Sequence, residues 1–137
     1  ASAFREELKA DEVLITADTV VCIHDRILGK PADRKEAISM LRELSGNRHL
    51  VVTGVSVTTR TEQLSFSSRT DVFFKHLSNE EIIFYVDTYK PFDKAGAYGI
   101  QEWIGYIGIE RIEGSFYNVM GLPIQKLYET LRKLQFQ

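Results

Sequence analysis

His49 to Lys75 reads HLVVTGVSVTTRTEQLSFSSRTDVFFK, and this stretch decides the fold. Its opening, HLVVTGVSVTT over His49 to Thr59, has the β-branched composition of a strand. From Gln63 to Lys75, the residues Leu64, Phe66, Thr70, Val72 and Phe74 fall on one parity, the two-residue period of a strand with one buried face. Two antiparallel strands joined near Arg60 to Glu62 follow. A hairpin in the middle of alternating helices and strands argues against a purely parallel sheet and predicts an α/β protein with a mixed sheet flanked by helices.

Before the hairpin, VLITADTVVCI over Val13 to Ile23 predicts a long buried strand. Asp18 stands inside it, and a carboxylate is costly to bury unless it is paired, hydrogen-bonded or bound to a metal. It reads either as an acid at a strand end, beside the hydroxyls of Thr16 and Thr19, or as the cap of a turn if the strand stops earlier. Ala1 to Asp11 carries Phe4, Leu8 and Ala10 among charges, as in the last turns of a helix that began upstream. His24 to Lys30 predicts an exposed connection, followed by Pro31. Asp33 and Glu36 then form a capping pair for a helix whose Ala37, Met40, Leu41 and Leu44 recur at helical spacing and which Gly46 closes.

After the hairpin, Ser78 and Glu81 make a second capping box, opening a helix with Ile82, Ile83, Tyr85 and Val86 that Lys90 and Pro91 end. The next stretch, DKAGAYGIQ over Asp93 to Gln101, sets two charges beside a run of Ala, Gly and Tyr too small for ordinary core. It reads as a binding loop that a ligand can approach closely, with Gly96 and Gly99 relieving the backbone on either side of Tyr98, or as a plain glycine-containing turn. Ile104 to Ile112 alternates as a glycine-softened strand. Gly114 and Ser115 turn the chain, and Pro123 suits the first turn of a last helix bearing Ile124, Leu127, Tyr128 and Leu131 on one face.

With 137 residues, 44% hydrophobic and 26% charged, the chain suits one core and one domain over residues 1–137. No apolar run approaches the roughly 20 residues of a membrane span and no apolar leader opens the chain, so a cytoplasmic protein is expected. The one cysteine, Cys22, leaves no disulfide framework or cysteine-based zinc site and is expected to be a buried, inert thiol. His49 and His76 are too isolated for a metal pair and read as solvated or locally bonded. A net charge of −2 argues against a nucleic-acid surface, while leaving room for a small anion held by local cations.

In order, ITADTVV, GKP, SGNRH, TDVFF, LSNEEI, DKAGAYGIQ and GSFYNVMGLP resemble the Maf family of nucleoside triphosphate pyrophosphatases. The resemblance covers nearly everything after the first ten residues. It implies an elongated mixed sheet of the Maf/ITPase-like kind, a cleft between two lobes, a homodimer, and cleavage of a nucleotide between its α and β phosphates. A divalent cation (Mg²⁺, Mn²⁺ or Co²⁺) is implied as cofactor. Asp18 matches the family's catalytic acid, taken to bind that metal or to accept a proton from the attacking water. Lys30 and Gln101 match substrate-recognition positions. Thr19, Asp93 and Lys94 fall in the matching motifs as supporting residues, the last two readable also as an ion pair that shapes the loop. Subgroups with Lys and Gln at the positions of Lys30 and Gln101 prefer dTTP and UTP, whereas a sister subgroup with Arg and Glu there favours 7-methyl-GTP. The family's SxSPRR-like opening, which grips the triphosphate, has no counterpart here. Arg69 in SFSSRTD echoes it only superficially, so a chain lacking its N-terminal strand and phosphate-binding motif is expected. The family's association with arrest of septum formation gives a second reading, action through a protein partner. A nucleotide-binding scaffold without turnover gives a third.

Overall fold

The computed structural model describes residues 12–134. The helix expected over Ala1 to Asp11 lies outside them. The central hairpin forms as its period predicts: β3 (Arg48–Thr58) and β4 (Gln63–Phe74) pair antiparallel from Arg48↔Phe73 to Thr58↔Gln63. Between them Thr59 N–H donates to the Glu62 carbonyl at 2.8 Å, and Thr59 Oγ1 accepts from Glu62 N–H at 3.0 Å. β1 (Leu14–Ile23) lies antiparallel on the other side of β3, in register from Leu14↔Thr58 to Cys22↔Leu50.

The connection expected over His24 to Lys30 is itself structured. His24 and Asp25 adopt φ of 50° and 61°, the pair of left-handed residues that matches strand twist in a two-residue hairpin, and β2 (Arg26–Leu28) returns along Val21 to Ile23. Neither residue is the glycine or asparagine that normally announces such a turn. β5 (Ile109–Glu113) pairs with the far end of β4, giving the order β2-β1-β3-β4-β5. The α/β reading holds, with a sheet flanked by helices. Every described pairing is antiparallel, so a parallel neighbour is not among them.

Both capping predictions hold. α1 (Arg34–Leu44) starts at Asp33, whose carboxylate accepts from Glu36 N–H at 2.8 Å, while Glu36 reaches Ala32 N–H one residue further back. α2 (Asn79–Tyr89) has the full reciprocal box, Ser78 Oγ accepting from Glu81 N–H and Glu81 Oε1 from Ser78 N–H. The strand expected over Ile104 to Ile112 is corrected: Trp103–Gly108 forms a short helix, α3, and only Ile109 onward is β5. Ile104 and Gly108 are the buried pair, four residues apart on one helix face, and Tyr106 is 80% exposed, so the alternate-residue pattern there was coincidental. Two more helices follow, α4 (Phe116–Met120) and α5 (Ile124–Lys133).

On β3, alternate residues His49, Val51, Thr53, Val55 and Val57 are all buried, so one face of the sheet carries the core. That core is in two parts. The larger joins Val21, Val51, Val72 and Phe74 to α1, α2 and α3; the smaller joins Val55 and Val57 to Leu127 and Leu134. On α5 only Leu127 is buried and Leu131 half-buried, while Ile124 and Tyr128 are exposed, so the predicted stripe is half covered. β1 also departs from expectation. Ile15 to Asp18 are exposed, because β2 reaches only Val21 to Ile23 and the first part of β1 has a described neighbour on one side alone. Cys22 is half-buried rather than buried. Among the described residues no helix is long and apolar enough to cross a membrane.

Candidate active site

The stretch from Asp93 to Gln101 is held against β1 by its smallest residue. Gly96 sits at φ +71°, and a Cβ there would lie 2.9 Å from a Val21 methyl, so only glycine lets the loop lie this close to the strand. Its N–H donates to the Gly29 carbonyl at 3.1 Å, which ties the loop to the chain just before Lys30. The loop is more deeply embedded than its composition suggested: Ala97, Tyr98 and Ile100 belong to the larger core. Gly99 has no positive φ, and a Cβ there would meet only the ends of two flexible side chains, Glu102 Oε1 at 2.7 Å and Lys94 Cε at 2.9 Å, which would have to shift to make room.

A cavity of about 290 Å³ opens between this loop, β1 and the end of α4, at the small end of the range for ligand pockets. Asp18, Thr19, Lys30, Asp93, Lys94 and Gln101 all line it. Asp18 is exposed and sits mid-strand opposite Gly54, neither at a strand end nor in a turn, so the burial penalty anticipated for it does not arise. Its carboxylate has no hydrogen-bond or ion-pair partner among the described residues. Thr19 points to the other face, its Oγ1 2.9 Å from Thr53 Oγ1. A cavity that touches both residues reaches around the edge of β1 that has no strand beside it among the described residues. Lys94 Nζ lies 3.7 Å from Asp93 Oδ1, a loose pair whose acid is 78% exposed and which contributes little to stability. Lys30 and Gln101 are exposed and also without a described side-chain partner, leaving an ammonium and an amide open to a ligand.

Three supporting arrangements escaped the sequence reading. First, Asn118, in the quoted motif FYNVM but given no role there, is fully buried. Its amide nitrogen lies 3.2 Å from Val51 O, 3.1 Å from Ser68 O and 2.9 Å from Thr70 Oγ1, which fastens α4 and the adjoining Met120 and Gly121 side of the cavity to the sheet. Second, Tyr85 donates its hydroxyl to Glu102 at 2.5 Å and accepts from Gly99 N–H at 3.1 Å, so α2 fixes the backbone two residues before Gln101. Burial, then the Glu102 carboxylate, hold the Tyr85 phenol well above its usual range and keep it a neutral donor. Third, His49 Nε2 lies 2.6 Å from Tyr98 OH, and both side chains pack on Phe74. Neither expected alternative holds for His49, which is buried in the core and bonded to a residue 49 positions along the chain rather than solvated or locally bonded. Burial lowers its pKa from 6.5 to about 4, so it is neutral, and burial pushes the Tyr98 phenol up. The sequence signal for Asn118 was an amide in an apolar run; Tyr85 and His49 gave none.

Comparison with known proteins gives one consistent result. A family model described as Maf-like protein matches residues 1–134. The chain is 59% identical over 134 residues to a dTTP/UTP pyrophosphatase of Bacteroides thetaiotaomicron, an alignment covering 98% of this chain and 69% of that protein. It is 56% identical over 132 residues to the dTTP/UTP pyrophosphatase of Parabacteroides distasonis, covering 96% of this chain and 68% of that one. A dTTP/UTP pyrophosphatase of Porphyromonas gingivalis is 58% identical over 134 residues, with 96% and 67% covered.

Proposed function

The chain belongs to the Maf family, and from that premise we propose that it hydrolyses dTTP and UTP to the nucleoside monophosphate and pyrophosphate. The observation that carries the reading from family to site is the convergence of Asp18, Thr19, Lys30, Asp93, Lys94 and Gln101 on one cavity from three separate stretches of chain.

Each role follows from the chemistry of the group. Lys30 offers a cation to a pyrimidine carbonyl or a phosphate oxygen, and the Gln101 amide offers one donor and one acceptor, the pattern of the N3–H and carbonyl edge of thymine or uracil. The Tyr85 contacts to Glu102 and Gly99 hold that amide's backbone in place, so recognition is built on a fixed loop. Asp18, exposed and without a partner among the described residues, serves as the acid that holds a cation or takes the proton of the attacking water.

The donor set suits a divalent metal of the hard, oxygen-binding kind. Among the described residues no three His, Cys, Asp or Glu side chains gather into a metal cage, and Mg²⁺ normally needs no such cage, being held by one or two carboxylates together with substrate phosphates and water. Asp18 would hold it, and the ion when bound would supply neutralisation of the phosphate charge. The exposed side chains of Phe116 and Tyr117 on α4 and of Ile124 and Tyr128 on α5 are apolar surface that the implied homodimer could use.

Pyrophosphate release from dTTP, UTP, CTP, GTP and 7-methyl-GTP, measured side by side on the natural protein, tests the reading. The expected order puts dTTP and UTP first. A clear preference for the methylated purine would overturn the assignment resting on Lys30 and Gln101.

A further inference from the structure

A second groove of about 510 Å³, which shares no lining residue with the candidate active site, lies between β4, the residue before α4 and the start of α5. Several features of it point to an anion. α5 is ten residues long and has no side-chain cap at its N-terminus, so its first N–H groups lack partners within the helix and present its positive end. Gln125 and Lys126, in that first turn, line the groove.

An independent observation comes from the sheet. Ser68 is only 6% exposed and lines the same groove, yet its hydroxyl has no hydrogen-bond partner among the described residues. Among the described residues the side-chain atoms sealed from solvent without a partner are His49 Nδ1 and Asn118 Oδ1, so the Ser68 hydroxyl keeps solvent access and is a donor that a ligand in the groove can reach. Ser115 adds another, because its Oγ already accepts from Asn118 N–H at 3.2 Å and keeps its own hydrogen to give. The charge agrees. Arg69 lines the groove with no described ion-pair partner, Lys126 Nζ is steadied there by the Ser67 carbonyl at 2.8 Å, and no acidic residue contributes. β5 joins β4 only from Asp71 onward, so the edge carrying Ser67 to Arg69 has no strand beside it among the described residues.

We propose that this groove is an oxyanion subsite for phosphate groups, separate from the cavity of Asp18 and Gln101. A guanidinium fork, an ammonium, helix N–H groups and two hydroxyls together match an ion with several tetrahedral oxygens, for which inorganic pyrophosphate is the simplest probe. The subsite is not remote from the cavity. In register, Thr19, Thr53 and Ser68 form one row across β1, β3 and β4, with Thr19 at the cavity and Ser68 at the groove.

The test is a ¹H–¹⁵N titration of the natural protein, without divalent metal, using inorganic pyrophosphate and, separately, dTTP. Saturable shifts of the Ser115, Gln125 and Lys126 amides are expected with pyrophosphate, and Arg69→Ala should weaken that binding about tenfold. Shifts in the groove with dTTP alone would assign the subsite to nucleotide phosphates rather than to a free ion, still as an oxyanion site. No saturable groove shift with either, or an Arg69→Ala affinity equal to the parent's, overturns the proposal. The parent titration decides the matter even if the variant does not fold.

Discussion

Asp18 was legible as an unusual acid within a β-branched run, but the reason it matters is not the one its sequence context suggested. It is exposed at the cavity and has no partner among the described residues, so nothing in the described fold depends on its charge. Asp18→Asn is therefore expected to remove dTTP turnover while shifting the thermal midpoint by no more than about 2 °C, within the range of an exposed substitution. Turnover at the parent rate in Mg²⁺ would refute its role. Gln101→Glu replaces a donor–acceptor amide by a pure acceptor and should lower kcat/KM for dTTP by about 1–3 kcal/mol, or roughly ten- to a hundredfold. Because added negative charge repels every triphosphate, the ratio of dTTP to 7-methyl-GTP is the quantity to read, and an unchanged ratio would count against the assignment. Asn118 shows what a single residue hides from sequence reading. Its partners Val51, Ser68 and Thr70 lie 67, 50 and 48 positions away, and no local pattern reports a hydrogen bond closed only by the tertiary fold.

At the scale of elements, legibility followed length and chemistry. The hairpin of β3 and β4 was readable because β-branched composition runs through the 11 residues of β3 and a period of two through the 12 of β4, and α1 and α2 because their caps are written in side chains that bond the backbone directly. Short elements were not: α3 has six residues, too few for the helical and strand periods to separate, and β2 has three. The caps can be weighed by experiment. Ser78→Ala loses the acceptor for Glu81 N–H and leaves the Glu81 carboxylate without its reciprocal arrangement, which should cost about 1 kcal/mol in urea unfolding. Ser78→Thr, which keeps a capping oxygen, should recover most of it; equal losses for both would mean that the box contributes nothing of its own.

For the molecule as a whole, the buried His49 makes stability depend on pH. Its folded pKa of about 4 lies below the ordinary 6.5, so between these values the unfolded chain binds a proton that the folded one refuses. The stabilisation is complete above pH 6.5 and drains away as pH falls toward 4, by about 3 kcal/mol over the window. Urea midpoints between pH 7 and 5 should decline accordingly, and His49→Gln, which cannot titrate, should flatten that decline; an unaltered slope would show that other groups are responsible. A different consequence follows from the row of Thr19, Thr53 and Ser68 that crosses the sheet beneath Asn118. It lies between the apolar cluster of Val51 and Val72 and that of Val55 and Leu127, so few hydrophobic contacts bridge the two. A core interrupted by a hydroxyl seam should open in two cooperative units rather than one. Native-state hydrogen exchange would then divide β3 along its own length. Amides near Val57 would exchange through a subglobal opening that releases α5, and those near Val51 only through global unfolding.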